Sequence, residues 1–139
     1  MKLLAMLMIF PLFINPPQKI EIKKIIIRYV DFNIEKLVAV GCDSFEGRFE
    51  DEIKTIVIKD KKRLAKFEKY INELSKNDND PSFPDVRLKM EIFENNGKID
   101  TLCMDNVGIS FNNVSMKDSK KFRSMIKGII SKSKKNNYR

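Results

Sequence analysis

The chain has 139 residues, of which 42% are hydrophobic and 33% charged, so it can form one packed domain and is not expected to be disordered overall. It contains two cysteines and no histidine, and its formal net charge is +8. The lack of histidine excludes Ser-His and Cys-His catalytic pairs and every zinc site that uses imidazole, while two cysteines cannot complete a four-thiolate site. We therefore expect no metal, no cofactor and no conventional catalytic centre. Catalysis by paired carboxylates or a desolvated lysine remains an open alternative.

Residues 1–17 have the pattern of a secretory signal peptide. A positive start at Lys2 is followed by twelve uncharged residues, Leu3 to Ile14, and the run ends at Asn15-Pro16-Pro17. The apolar run is shorter than the roughly 20 residues of a transmembrane helix and contains Pro11. We predict export to the periplasm or the extracellular space, with a buried N-terminal element or an uncleaved membrane tether as alternatives.

The next part of the chain predicts two strands and a short helix. Isoleucine density predicts a strand from Gln18 to Tyr29, because β-branched residues favour extended structure. Leu37–Val40 is a short apolar run that predicts a second strand. Asp43 is the expected N-cap of a short helix whose inner face carries Phe45 and Phe49, one turn apart.

A third strand and a longer helix follow. The stretch Lys54–Lys59 centres on three consecutive β-branched residues, and Asp60 is the expected N-cap of the next helix. That helix has apolar residues three or four positions apart, which predicts one face packed in the core. These residues are Leu64, Phe67, Ile71 and Leu74.

The second half of the chain begins with the clearest hairpin signal. After a polar loop over residues 75–85, apolar and polar residues alternate over residues 86–93, which predicts a strand. Asn96-Gly97 suits a type I′ turn, because both positions tolerate positive φ, and Lys98–Met104 is the expected return strand. The apolar residues of the outgoing strand are Val86, Leu88, Met90 and Ile92.

The last elements are another short hairpin and a helix. Alternation resumes over residues 107–111, and Asn112-Asn113 predicts a turn before a strand at residues 114–116. Asp118 or Ser119 is the expected cap of the final helix. The apolar face of that helix is formed by Phe122, Met125, Ile126, Ile129 and Ile130.

These elements predict a single α+β domain over residues 18–131. Consecutive strands joined by short turns favour an antiparallel sheet, here of about five or six strands. Two helices with one apolar face each need one face of that sheet to cover, so both main helices are expected on the same side. Residues 132–139 are polar and basic and are expected to form a flexible tail.

Two groups of residues are candidate sites within the domain. In an exported chain, Cys42 and Cys103 can form one disulfide, with two separate buried thiols as the alternative. The face of the sheet that the helices leave free is expected to meet water or a partner. Arg87, Lys89 and Glu91 alternate with the apolar residues of their strand and mark that face.

A third candidate site is the basic C-terminal end. Residues 117–139 hold nine basic residues and one acidic residue, whereas residues 1–116 sum to zero. Such an end can attract an anionic membrane surface, although a solvated helix face and tail would have the same composition. Nucleic acid is not expected as a partner, because the tail offers only Tyr138 for base stacking and the chain is predicted to be exported. The candidate contact residues are Lys127, Lys132, Lys134, Lys135 and Arg139.

Three functions are compatible with these patterns. The favoured one is an exported, non-catalytic binding domain whose partner, a protein or a ligand, the sequence does not identify. The alternative is a cell-envelope protein that contacts an anionic membrane surface through its basic C-terminal helix. A small carboxylate-based enzyme is the third, and the spacing of the acidic residues favours no particular pair.

Overall fold

One antiparallel sheet of six strands forms the centre of the computed structural model, which describes residues 19–136. The strand order is β2-β1-β3-β4-β5-β6, and the α+β prediction is confirmed. The predicted signal peptide lies outside the described residues. The elements are β1 (Ile22–Tyr29), α1 (Phe45–Phe49), a 3-10 turn (Glu50–Glu52), β2 (Lys54–Ile58), α2 (Lys61–Asn72), β3 (Leu88–Glu94), β4 (Ile99–Met104), β5 (Ile109–Phe111), β6 (Val114–Met116) and α3 (Lys120–Asn136).

The turns of the meander follow from asparagine and glycine, but not all as predicted. Asn112 and Asn113, with φ of 48° and 61°, form the two-residue turn between β5 and β6. Between β3 and β4 only Gly97 has positive φ, and its amide donates to the carbonyl of Glu94. The type I′ turn predicted at Asn96-Gly97 is therefore wrong. The hairpin is instead closed by a loop of three residues between Glu94 and Lys98, longer than the two residues of a type I′ turn. In this loop, Gly97 alone has a left-handed conformation.

Side-chain caps begin both long helices. The carboxylate of Asp60 accepts a hydrogen bond from the Arg63 amide at the start of α2, as predicted. The Ser119 hydroxyl accepts one from the Phe122 amide at the start of α3. The last helix continues to Asn136, past the predicted start of a flexible tail at residue 132. Lysine is a good helix former, so the polar composition of this end does not stop the helix.

The helices α2 and α3, here called the helix layer, cover one face of the sheet. Phe67 and Phe122 are fully buried and meet edge-on with ring centroids 6.3 Å apart. Most predicted core positions are buried, but Leu74, Met125 and Ile129 are only partly buried. The main cluster contains Ile25, Ile27, Leu64, Phe67, Ile71, Leu88, Met90, Ile92, Leu102, Phe122, Ile126 and Ile130 among its members.

Residues 30–53, here called the cover segment, lie over part of the opposite face. The segment has its own apolar cluster, in which Phe45 and Phe49 pack with Val86 and Cys103. Val86 was predicted on the helix-covered face. That prediction is wrong, because the regular strand begins only at Leu88 and the Val86 amide instead donates to the carbonyl of Val40.

Two local predictions within the cover segment are also wrong. Leu37–Val40 is not a strand, and Leu37 is fully exposed. Asp43 does not cap α1, whose N-cap position is Ser44 without a side-chain hydrogen bond. The segment is held by a disulfide and by bonds to Asp85 and Arg87 instead of by strand pairing, so strand propensity does not decide its conformation.

Candidate functional site

The helix layer concentrates the positive charge of the protein. The helix α3 contains seven basic residues and no acidic residue, and α2 contains five basic residues and one acidic residue. The two helices therefore carry a formal charge of +11, and the rest of the chain carries −3. The charge was expected in residues 117–139, and the contribution of α2 was not predicted. Counting charge by helix instead of by distance from the C-terminus would have found it.

Most of these cations are free to meet a partner. Eleven of the twelve basic side chains in α2 and α3 are exposed, and within residues 19–136 none of the eleven forms an ion pair. The exception is Arg123, which is buried, pairs with Asp118 and donates to the carbonyl of Asp105. Lysine and arginine left without acidic partners on one face create a field that attracts anions.

A groove of about 460 Å³ runs between α2 and α3. Its volume falls in the range of roughly 300–1,000 Å³ that small-molecule sites occupy. The apolar lining comes from both helices and the edge strand β2. It consists of Ile56, Phe67, Met125 and Ile129.

Basic side chains surround this apolar lining. Arg63 and Lys66 of α2 and Lys132 of α3 line the groove. A neighbouring depression of about 430 Å³ shares Lys66 and adds Lys120 and Lys121. An apolar strip bordered by unpaired cations can hold a molecule that is apolar along its body and negative at its end.

The predicted C-terminal contact residues lie partly at this groove. Lys127, Lys132, Lys134 and Lys135 are exposed on α3, and Lys132 lines the groove. Arg139 lies outside the described residues. That these residues contact a partner stays a prediction.

The cover segment is opposite in charge to the helix layer. It holds seven acidic and two basic residues, a formal charge of −5. The predicted disulfide is present: Cys42 and Cys103 are bonded with their Cα atoms 5.9 Å apart, and the bond ties the segment to β4. Formal charge is therefore separated across the sheet, with a basic helix layer on one side and an acidic cover segment on the other.

Arg87 anchors the cover segment instead of facing water. Its side chain is buried, donates to the carbonyl of Ile34 at 2.9 Å, and pairs with Asp85 at 2.8 Å. The hydrogen bonds from Arg87 hold the pKa of Asp85 below its usual value. The prediction that Arg87 faces solvent is therefore wrong, because the chain that connects β1 to α1 folds over it.

The other two predicted residues of this face are partly exposed and engaged with neighbours. Lys89 pairs with Glu46 of α1 at 2.9 Å, and Glu91 pairs with Arg28 of β1. That these residues contact a partner stays a prediction. The uncovered part of the face carries exposed apolar side chains, among them Val57 and Ile99.

A buried carboxyl pair is the feature that sequence analysis missed entirely. The Asp100 side chain is fully buried, accepts from Asn112 at 2.7 Å and pairs with Lys98 at 2.7 Å. Its hydrogen bond with Glu94, together with burial, raises the pKa of the Glu94 carboxyl. Burial acts to raise the pKa of Asp100, but hydrogen bonds from Glu94, Lys98 and Asn112 outweigh it and lower that pKa.

The carboxyl pair is best explained as sharing one proton. Glu94 Oε1 lies 3.3 Å from the Lys98 ammonium, but neither it nor the buried Asp100 Oδ2 has a hydrogen bond within residues 19–136, and a proton between the two carboxyls would satisfy both oxygens. The pairing depends on the β3–β4 register, which places Asp100 opposite Ile92. The Asp100 side chain is inaccessible and pairs with Lys98, so the carboxyl pair lies inside the β3–β4 hairpin and not at the open groove.

No protein-family model, curated protein or solved structure matches this chain. Among residues 19–136, no helix is both long enough and apolar enough to cross a bilayer. The same residues contain no group of three or more metal-ligating side chains.

Proposed function

We propose that this protein is an exported, non-catalytic binding domain that attaches to an anionic membrane surface through its helix layer. The observation that carries the proposal is the set of eleven cations on α2 and α3 that are exposed and form no ion pair within residues 19–136. Each lysine or arginine near an anionic bilayer contributes about 1 kcal/mol of attraction. The acidic cover segment lies on the far side of the sheet, where it would face away from the lipid.

Export is supported by two independent features of the chain. The disulfide between Cys42 and Cys103 is typical of oxidising compartments outside the cytosol. Residues 1–17 have the charge and apolar pattern of a signal peptide. Export argues against nucleic acid as the physiological partner and is compatible with a membrane surface.

The proposal is tested by co-sedimentation with lipid vesicles. We expect the protein to bind vesicles of phosphatidylglycerol mixed with phosphatidylcholine, and not vesicles of phosphatidylcholine alone. Attraction between exposed charges is screened beyond about 8 Å at physiological salt, so binding should weaken as salt rises. Replacing Lys127, Lys134 and Lys135 with glutamine should weaken binding by roughly a hundredfold, given about 1 kcal/mol per cation.

A matched triple variant controls for the change in net charge. Lys23, Arg48 and Lys76 lie outside the helix layer, and replacing them with glutamine removes the same charge. This control should bind vesicles nearly as the wild type does. If both triple variants lose the same affinity, net charge and not the helix layer drives attachment. If the wild type does not sediment with anionic vesicles, the proposal is wrong.

A further inference from the structure

The groove between α2 and α3 has an apolar lining, which electrostatic attachment to an anionic surface does not require. Two positions of the apolar face of α3, Met125 and Ile129, line it and are only partly buried. Placing apolar side chains at an open groove forgoes the stabilisation they would gain in the core. A ligand with an apolar part would cover them.

Gly128 keeps this groove open. It lies inside the 17-residue helix α3 and lines the groove. A Cβ atom built at this position meets nothing within 4 Å, so no neighbour within the described residues requires a glycine there. Glycine in a helix interior is destabilising relative to alanine. Within residues 19–136, the glycine therefore leaves the groove open where a side chain would stand.

The charges at the groove select the chemistry of its occupant. Arg63, Lys66 and Lys132 line it, and no acidic residue of the described part of the chain does. We infer that the groove binds one molecule of a single-chain anionic amphiphile, with its acyl chain along the apolar lining and its negative head among these cations. The inference rests on the proposed function and deepens it, since such a molecule is a component of the surface to which the protein attaches.

Binding is measured by calorimetry with lauroyl lysophosphatidylglycerol below its micelle-forming concentration. The protein, isolated as its host exports it, should bind one molecule per chain. Lauroyl lysophosphatidylcholine has the same chain and a zwitterionic head, and it should bind about tenfold more weakly. Glycerol phosphate has the head without the chain, and it should show no measurable binding.

The variant Gly128→Phe tests the groove itself. The Cβ atom that this change adds meets no described atom within 4 Å, and the ring that follows it starts at the open groove, so the fold should be retained and the thermal midpoint should not fall. Filling the groove should weaken lysophosphatidylglycerol binding by about tenfold or more. Gly47→Phe is the matched control, because Gly47 also lies in a helix with nothing within 4 Å but is far from the groove lining.

The outcomes separate this inference from the proposed function. If Gly128→Phe loses lysophosphatidylglycerol but still sediments with anionic vesicles, both the groove site and the charge-based attachment are supported. If it binds lysophosphatidylglycerol as the wild type does, or if the zwitterionic analogue binds equally well, the groove inference is overturned while vesicle attachment stands. A dimer that Gly128→Phe dissociates would make the groove an interface between copies and would also overturn it. Lysophosphatidylglycerol binding without vesicle attachment would support the groove and refute the proposed function.

Discussion

The two faces of the sheet are covered in different ways, and the difference separates what holds the protein together from what it exposes. The helix layer buries a continuous apolar cluster beneath two helices whose exposed residues are mostly basic. The cover segment buries a smaller cluster, is largely irregular, and depends on one disulfide and the bonds of Arg87. A packed layer can tolerate a dense row of like charges on its outside because burial underneath offsets the repulsion.

Core truncation should have the largest effect and should differ between the faces. Phe67 and Phe45 are both fully buried, one under the helix layer and one in the cover segment. Phe67→Ala should lower the free energy of unfolding by about 3–5 kcal/mol, the cost of a large cavity in a core. Phe45→Ala should cost less in global stability, because the smaller cluster can open locally. Chemical denaturation measures both, and equal losses would show that the two faces unfold as one unit.

The disulfide should matter mainly to the cover segment. Replacing Cys42 and Cys103 together with alanine opens a loop of 61 residues in sequence separation. The free energy of unfolding should fall by about 2–4 kcal/mol, the usual contribution of such a bond. Hydrogen exchange should accelerate in residues 30–53 and stay near wild-type rates in α2. Faster exchange in both regions would mean that the disulfide stabilises the whole sheet.

The Glu94–Asp100 carboxyl pair on the helix-covered face should have the smallest effect, which is a pH dependence of the free energy of unfolding. The raised pKa of Glu94 means that the folded protein keeps this proton at pH values where the unfolded chain has lost it. The stability that the proton contributes is therefore complete below about pH 4.5, the ordinary value, and is lost as pH rises through the folded pKa. Asp100, with its lowered pKa, contributes in the opposite direction and at more acidic pH.

The variant Glu94→Gln should remove that pH dependence. A neutral amide can still donate to Asp100, so the decline in stability with rising pH should flatten while the fold persists. Thermal midpoints measured at several pH values above 4.5 provide the comparison. Glu35→Gln, at an exposed position, should leave the wild-type slope unchanged. A wild-type slope retained in Glu94→Gln would assign the dependence to other groups.

Regular elements were predictable because their signals are local. The i, i+3, i+4 spacing of apolar residues in α2 and α3, the capping by Asp60 and the turn at Asn112-Asn113 depend on neighbours a few residues away. The cover segment was not predictable in this way. Leu37–Val40 has a strand-like composition, but the disulfide and distant residues such as Asp85 and Arg87 set its conformation.

The features of the candidate site divide in the same way, into those that follow from local sequence and those that depend on distant contacts. The sequence by itself determined the α+β class, the basic character of the last helix and the presence of a cysteine pair able to bridge. Only the tertiary structure decided that α2 lies beside α3, that Met125, Gly128 and Ile129 border an open groove, and that Glu94 meets Asp100. The reason is physical: charge and periodicity are properties of short stretches, whereas a groove or a shared proton exists only when the register of the sheet and the packing of helices bring distant residues together.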